Sequence, residues 1–266
     1  STTTRLSSGY FTEETFDLLE GLHQSPTKEF YMENKDDFKE YLESPFQALM
    51  TDCQEFLNTD IKETMETEKG VFARILKNDY GRGGAWDFYW GAFYPKDGKR
   101  TEDPQLLLGI NKDRLEVGFS IGEYDKASFS LFHQNCQKNV PQLLDLLNFL
   151  INDRRFIFGN KTDEMTKIFS HETWKDWFSN PDPYGNNITY VIPKEILLNT
   201  SKADLVEIVS DIYNHLYPLV LLCISKDPMP LIYTYLGQDP QPILNPEYPL
   251  GTCAEETCIE LSELQR

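Results

Sequence analysis

Three short apolar runs, at residues 85–94, 105–110 and 115–121, constrain what this chain can fold into more than any other feature. They are separated by Lys96-Asp97-Gly98-Lys99 and Asn111-Lys112-Asp113-Arg114, which carry the Asp, Asn and Gly that tight turns favour. Runs this close together pair with their sequence neighbours, so they predict an antiparallel meander. The first run is apolar on both sides. Strand alternation puts Trp86, Phe88, Trp90 and Tyr94 on one face and Asp87, Tyr89 and Phe93 on the other. Such a strand is either buried on both faces or lends one aromatic face to a pocket wall. Residues 71–76 are also β-prone and lead into a flexible Gly81-Arg82-Gly83-Gly84 loop, while 154–158 and 189–192 read as further strands.

Helices flank the meander. Thr12, followed by Glu13 and Glu14, caps a helix with Phe16, Leu18, Leu19 and Leu22 on one face, closed by Gly21 and His23. Ser25-Pro26 and Ser44-Pro45 both read as an N-cap with proline at the first helical position. The segments after them place Phe30, Tyr31, Phe38, Tyr41 and Leu42, then Phe46, Leu49, Met50, Cys53, Phe56 and Leu57, at helical spacing. Residues 128–151 predict a helix broken near Pro141, 172–178 a short one bearing Trp174 and Trp177, and 201–224 a long amphipathic one. Helices, then strands, then helices give an α+β fold: an antiparallel sheet of about four to six strands packed with N-terminal, middle and C-terminal helices.

Residues 1–236 read as one domain. From Lys226 the texture loosens, with Asp227-Pro228-Met229-Pro230 and a proline-rich 237–266 segment that reads as a linker ending in the start of a helix. That unfinished helix is the expected approach to a further domain.

At 266 residues with 40% hydrophobic content, the chain has material for a buried core and is not disordered in composition. No run approaches about 18 uninterrupted apolar residues, and residues 1–12 lack an apolar signal core, so neither membrane nor secretion is expected. The cysteines, Cys53, Cys136, Cys223, Cys253 and Cys258, show no CxxC spacing, and His23, His133, His171 and His215 are dispersed. The expectation is a reduced, cytoplasmic protein with no metal and no cofactor.

The formal net charge is −18, yet residues 69–114 carry nine Lys and Arg against six Asp and Glu. That island is +3 and the remainder −21, so a polyanion would have to be met locally. Solvated strand turns are the plainer explanation of the same charges.

Two short patterns carry chemistry elsewhere. Gly118-Phe119-Ser120-Ile121-Gly122 matches a nucleophile elbow, but the serine falls inside an alternating strand and Glu123-Tyr124-Asp125-Lys126 follows. Asp97-Gly98-Lys99 has the acid-x-lysine form of a metal-dependent nuclease, with Asp79 or Asp87 upstream, but sits in a turn. No phosphate-binding G-x-x-x-x-G-K-[ST] occurs. Serine hydrolase and nuclease stand as alternatives, with no catalytic residue assigned.

Residues 18–57, with Thr27-Lys28-Glu29-Phe30-Tyr31 and the Phe38/Tyr41 helix, lead into Phe72-Ala73-Arg74-Ile75, Gly91-Ala92-Phe93-Tyr94-Pro95 and Gly118 to Tyr124. This resembles a bacterial domain family of unknown function that reads Trp-Phe where Phe30-Tyr31 stands. Its Arg-Asp-x-Arg-Phe-Ser loop is here Lys77-Asn78-Asp79-Tyr80-Gly81-Arg82. Arg74, Asp79 and Arg82 are the polar positions that carry across. The wording from Lys77 to Lys96 is similar to the version placed ahead of McrB-like AAA+ motors. Tyr248-Pro249-Leu250, Cys253-Ala254-Glu255-Glu256-Thr257 and Leu261 are similar to the approach to their Walker motif.

The resemblance spans roughly residues 12–125 and 245–266. It implies a non-catalytic specificity module of a restriction or defence NTPase, with the motor domain in cis, a nuclease partner subunit and modified DNA as the target. The expected nucleic-acid or ligand-binding set is Arg74, Lys77, Asp79, Arg82, Trp86, Trp90, Lys96, Lys99 and Arg100. The alternative is an acidic protein–protein adaptor or autoregulatory domain.

Overall fold

Antiparallel pairing of the three apolar runs makes one half of the sheet in the computed structural model, which describes residues 9–102, 104–122, 126–162, 165–169 and 173–238. Helices α1 (Glu13–Gln24), α2 (Lys28–Glu33), α3 (Lys35–Phe38), α4 (Ser44–Cys53) and α5 (Thr59–Thr64) precede strands β1 (Met65–Glu66), β2 (Phe88–Pro95), β3 (Gln105–Asn111) and β4 (Arg114–Gly122). Helices α6 (Lys126–Lys138), α7 (Val140–Leu146) and α8 (Asn148–Asn152) lead to β5 (Phe156–Thr162) and β6 (Met165–Phe169). Then come α9 (Trp174–Ser179), β7 (Gly185–Pro193), α10 (Lys194–Leu197), α11 (Lys202–Ile224) and α12 (Pro228–Gln238). The fold is α+β. Six antiparallel strands run in the order β2-β3-β4-β7-β5-β6, and the two-residue β1 extends the β2 edge.

One face of the sheet carries Tyr89 and Phe93, then Leu106, Leu108 and Ile110, then Val117 and Phe119, and Ile188 and Tyr190. Against it lies α11, buried along nearly its whole length from Leu205 to Cys223. Tyr213 donates from its hydroxyl to the Leu107 carbonyl at 2.9 Å, tying that helix to β3. Asn214 clamps the 3₁₀ turn Gln54–Phe56: its Oδ1 accepts from Asn58 N at 2.8 Å and its Nδ2 donates to Phe56 O at 2.9 Å. Helix α11 is long and apolar enough to cross a membrane by length and composition, an exception to the expectation that no segment qualifies, yet 89% of that window is buried inside this fold. On the opposite face Phe88, Trp90, Ala92 and Leu107 form a second, smaller cluster. Further along that face Arg114 Nε donates to Glu116 Oε1 at 3.0 Å, with both side chains almost wholly buried.

Local chemistry departs from the sequence expectations at several points. Residues 71–76 do not form a regular strand. They run along β2 through isolated bridges, Phe72 with Gly91 and Leu76 with Ala85, because the register slips between those two pairs. Ser25-Pro26 does not open α2; Thr27 is the N-cap, its Oγ1 accepting from Phe30 N at 3.1 Å. Pro26 is held outside the helix because its carbonyl accepts from Ala85 N at 3.0 Å. Ser44-Pro45 does open α4, with the proline in its first turn, but Ser44 is not an N-cap, since Glu43 before it is already helical. The chain passes from α3 into α4 through a π turn, Lys39–Glu43. Pro45 has no N–H for the carbonyl of Tyr41 four residues back, and Thr15 Oγ1 donates to that carbonyl instead, at 2.6 Å.

Strand β6 and helix α10 have no counterpart in the sequence reading. Asp227-Pro228-Met229-Pro230, expected as loose linker, opens α12, since proline is tolerated in a first helical turn where no N–H is needed. The remaining proline-rich segment and the final amphipathic stretch, from residue 239 on, lie outside the described residues.

Burial makes the phenols of this core hard to ionise. Desolvation raises Tyr213 well above the ordinary value and pushes Tyr89 up to about 12; Tyr190 and Tyr217 are raised by the same cause. The unfolded chain releases these protons near the ordinary phenol value of about 10, so above it the unfolded state binds fewer protons than the folded one. Folding stability, measured by urea denaturation at successive pH values, is therefore expected to be flat up to about pH 10 on account of these groups and to decline as the pH climbs towards 12.

Candidate functional site

Residues 77–86 form a loop that is pinned at both ends and presents its middle to solvent. Lys77 N donates to Gly84 O at 3.0 Å, and Asp79 Oδ2 accepts from Gly84 N at 2.8 Å. A Cβ on Gly84 would come within 2.7 Å of that carboxylate oxygen, so glycine is what allows the contact. The start of α2 holds the loop from outside. Lys28 N donates to Gly83 O at 2.7 Å, and Thr27 bridges Gly84. Tyr80, Gly81 and Gly83 all have positive φ, at 59°, 84° and 77°.

From this frame Arg82 and Tyr80 project outward, and Tyr80 is 97% exposed. Lys77 is laid over the Trp86 ring, Nζ 4.2 Å from its centroid, and Trp86 packs on Phe88 with centroids 5.4 Å apart. A cation over an indole face is attracted by the ring quadrupole, and the stack leaves Trp86 half-buried. Tyr80 is not among the residues the sequence analysis singles out. An aromatic inside a glycine-rich loop has no periodicity to mark it; its isolation from every apolar run was the only available signal.

The nine expected site residues do not converge. Lys77, Asp79, Arg82 and Trp86 belong to the loop, and Arg74 is exposed on the segment leading into it. Lys96 and Lys99 lie at the far end of β2, an eight-residue strand roughly 25 Å long at about 3.3 Å per residue. There Lys96 lines a groove of about 440 Å³ with Gln54, Lys62, Met65 and Glu66. Asp97 holds φ 68° in the exposed turn, where Gly98 N donates to Pro95 O at 3.1 Å.

Trp90 and Arg100 are built into the fold. Trp90 is 4% exposed, and the Arg100 guanidinium lies 5.2 Å from its ring centroid. Arg100 Nη1 donates to Phe72 O at 2.6 Å and to Gly70 O at 3.0 Å, bracing the irregular 70–77 segment against β2. Its Nε is buried and unpartnered, and burial lowers its pKa from the ordinary guanidinium value. Arg114, counted in the basic island, is committed to Glu116, and Lys112 lies 3.1 Å from Asp113 and 3.9 Å from Glu20. The solvent-facing cations are thus fewer than the sequence sum.

Ser120 sits mid-strand in β4, opposite Asn187 and Gln105, with the strand continuing to Gly122. It is not at a strand-to-helix turn. Among the described residues no group of three or more His, Cys, Asp and Glu is placed to hold a metal ion.

These placements separate bracing residues from presented ones. Arg100→Ala removes two hydrogen bonds, to the Gly70 and Phe72 carbonyls, and a ring contact, so it is expected to destabilise the fold by about 1–2 kcal/mol in urea denaturation. Arg82→Ala, with no such partners among the described residues, is expected to stay within about 0.5 kcal/mol of the parent.

Compared with known proteins, the chain matches no family model and no curated protein, so neither comparison attaches a family to the loop and the sheet behind it.

Proposed function

We propose that this chain is a non-catalytic recognition module that meets nucleic acid through the 77–86 loop, in the setting of a McrB-like AAA+ restriction or defence motor. The observation that carries the reading is the presence of exposed Arg82 and the partly buried Lys77–Trp86 stack on one loop fixed at both ends. Phosphate contacts from Arg and Lys supply most nucleic-acid affinity, and aromatic faces beside them accept bases. The acidic remainder of the chain repels polyanions, which confines contact to this place. The motor in cis, a nuclease partner subunit, a modified DNA target and a cytoplasmic setting belong to the proposal through the sequence resemblance alone.

A second reading, an adaptor for a basic protein partner, is favoured by one observation. Glu29, Glu33, Asp36, Asp37 and Glu40 are all exposed on α2, α3 and the π turn.

Titration of a labelled oligonucleotide against the protein separates the two. Recognition through the loop gives an affinity that falls linearly with the logarithm of salt concentration. The double charge reversal Lys77→Glu with Arg82→Glu is expected to abolish it, while Lys96→Glu with Lys99→Glu, at the far end of β2, leaves it largely intact. Binding that survives the first pair refutes the site. No binding even at low salt, together with co-purification of a basic protein, supports the adaptor.

A further inference from the structure

The phosphate contacts proposed above leave one feature of the loop unused. Tyr80 stands 97% exposed with φ at 59°, a region that bulky side chains seldom occupy. Strain of this kind persists only where surrounding structure imposes it. Here the Asp79–Gly84 bond on one side and the Lys28–Gly83 bond on the other impose it. The result is a phenol ring held out in solvent. The backbone beside it is equally open: a Cβ on Gly81 would meet nothing within 4 Å.

We infer that the nucleic acid taken by this loop is unpaired, with one nucleobase stacked on the Tyr80 ring and neighbouring phosphates against Arg82 and Lys77. The inference rests on the recognition reading above and names its substrate class. A duplex presents base edges in its grooves and hides base faces between neighbours, whereas a lone aromatic ring needs a bare face. Stacking of this sort is tolerant of sequence because every base has a π-face.

The surroundings point the same way. Exposed Glu29 and Glu33 lie on α2, whose first residue is hydrogen-bonded to the loop, and the chain outside the basic island carries −21. A duplex brings a phosphate charge for about every 1.7 Å of its axis and a broad face to that acidic surface; one strand brings half the charge and reaches only the loop.

The test uses fluorescence anisotropy with three labelled probes: an oligothymidylate, its duplex with oligoadenylate, and an abasic strand of the same length. Tyr80→Gly removes the ring and tolerates the positive φ, so the loop is preserved; Tyr80→Trp keeps a stacking surface. The parent protein is expected to bind the oligothymidylate about tenfold or more tighter than either other probe. Tyr80→Gly should erase that preference by weakening only the oligothymidylate, and Tyr80→Trp should retain it. Equal binding of strand and duplex, both lost in Arg82→Glu, overturns the unpaired substrate and leaves the recognition reading standing. A strand preference that Tyr80→Gly does not alter overturns the stacking role. Binding of none of the probes overturns the inference and the recognition reading together.

Discussion

Burial of α11 against the meander is the contact on which the rest of the molecule depends. A 23-residue helix that is apolar nearly all round cannot be left in water, and the face of β3 and β4 is the surface that covers it. Once it lies there, its polar exceptions become joints. Tyr213 reaches β3, and Asn214 holds the 3₁₀ turn that delivers α5 to the sheet edge. The chain then re-emerges as the edge segment beside β2, and the 77–86 loop is the turn by which that segment doubles back. The loop is therefore positioned by a core that it meets only at its end, through Ala85 and Trp86.

Much of this was legible in residue order, for a physical reason. Alternation and turn chemistry are local signals, and β2, β3 and β4 fall close to the expected 85–94, 105–110 and 115–121. Likewise α6 ends and α7 begins at the expected break near Pro141. What was read less well was the meaning of proline. Proline was read as a helix start at 26, where it stands outside α2, and at 45, where it does fall in the first turn of α4, and as a linker at 228 and 230, which open α12; only the three-dimensional partners of the neighbouring carbonyls decide among these roles. Pro26 is excluded from α2 by a bond to Ala85, and Pro45 is absorbed by Thr15 across from another helix. Those partners are distant in sequence, so no local pattern contains them.

The candidate site was less legible, because charge counting sees composition and not direction. Of the island's nine cations, Arg114 is cancelled by Glu116 and Arg100 is spent on two backbone carbonyls. Trp90 and Trp86 look alike in the sequence, yet one is sealed beneath Arg100 and the other, partly exposed, carries Lys77. Their difference arises where β2 begins: Trp90 is inside the ladder and Trp86 ahead of it. Tyr80 escaped notice because exposure in a glycine-rich loop leaves no periodic mark in the sequence.

The anchoring of the loop to Pro26 and Lys28 limits how this protein can be dissected. A fragment trimmed to begin at the sheet would look economical, since α1 and α2 contribute nothing to strand pairing. It would also strip the partners from Gly83 and Ala85 and release the loop from its outer support. Any behaviour measured on such a fragment would belong to a relaxed loop. Residues 26–28 are best regarded as the mounting of the loop, and the smallest unit that preserves its shape must include them.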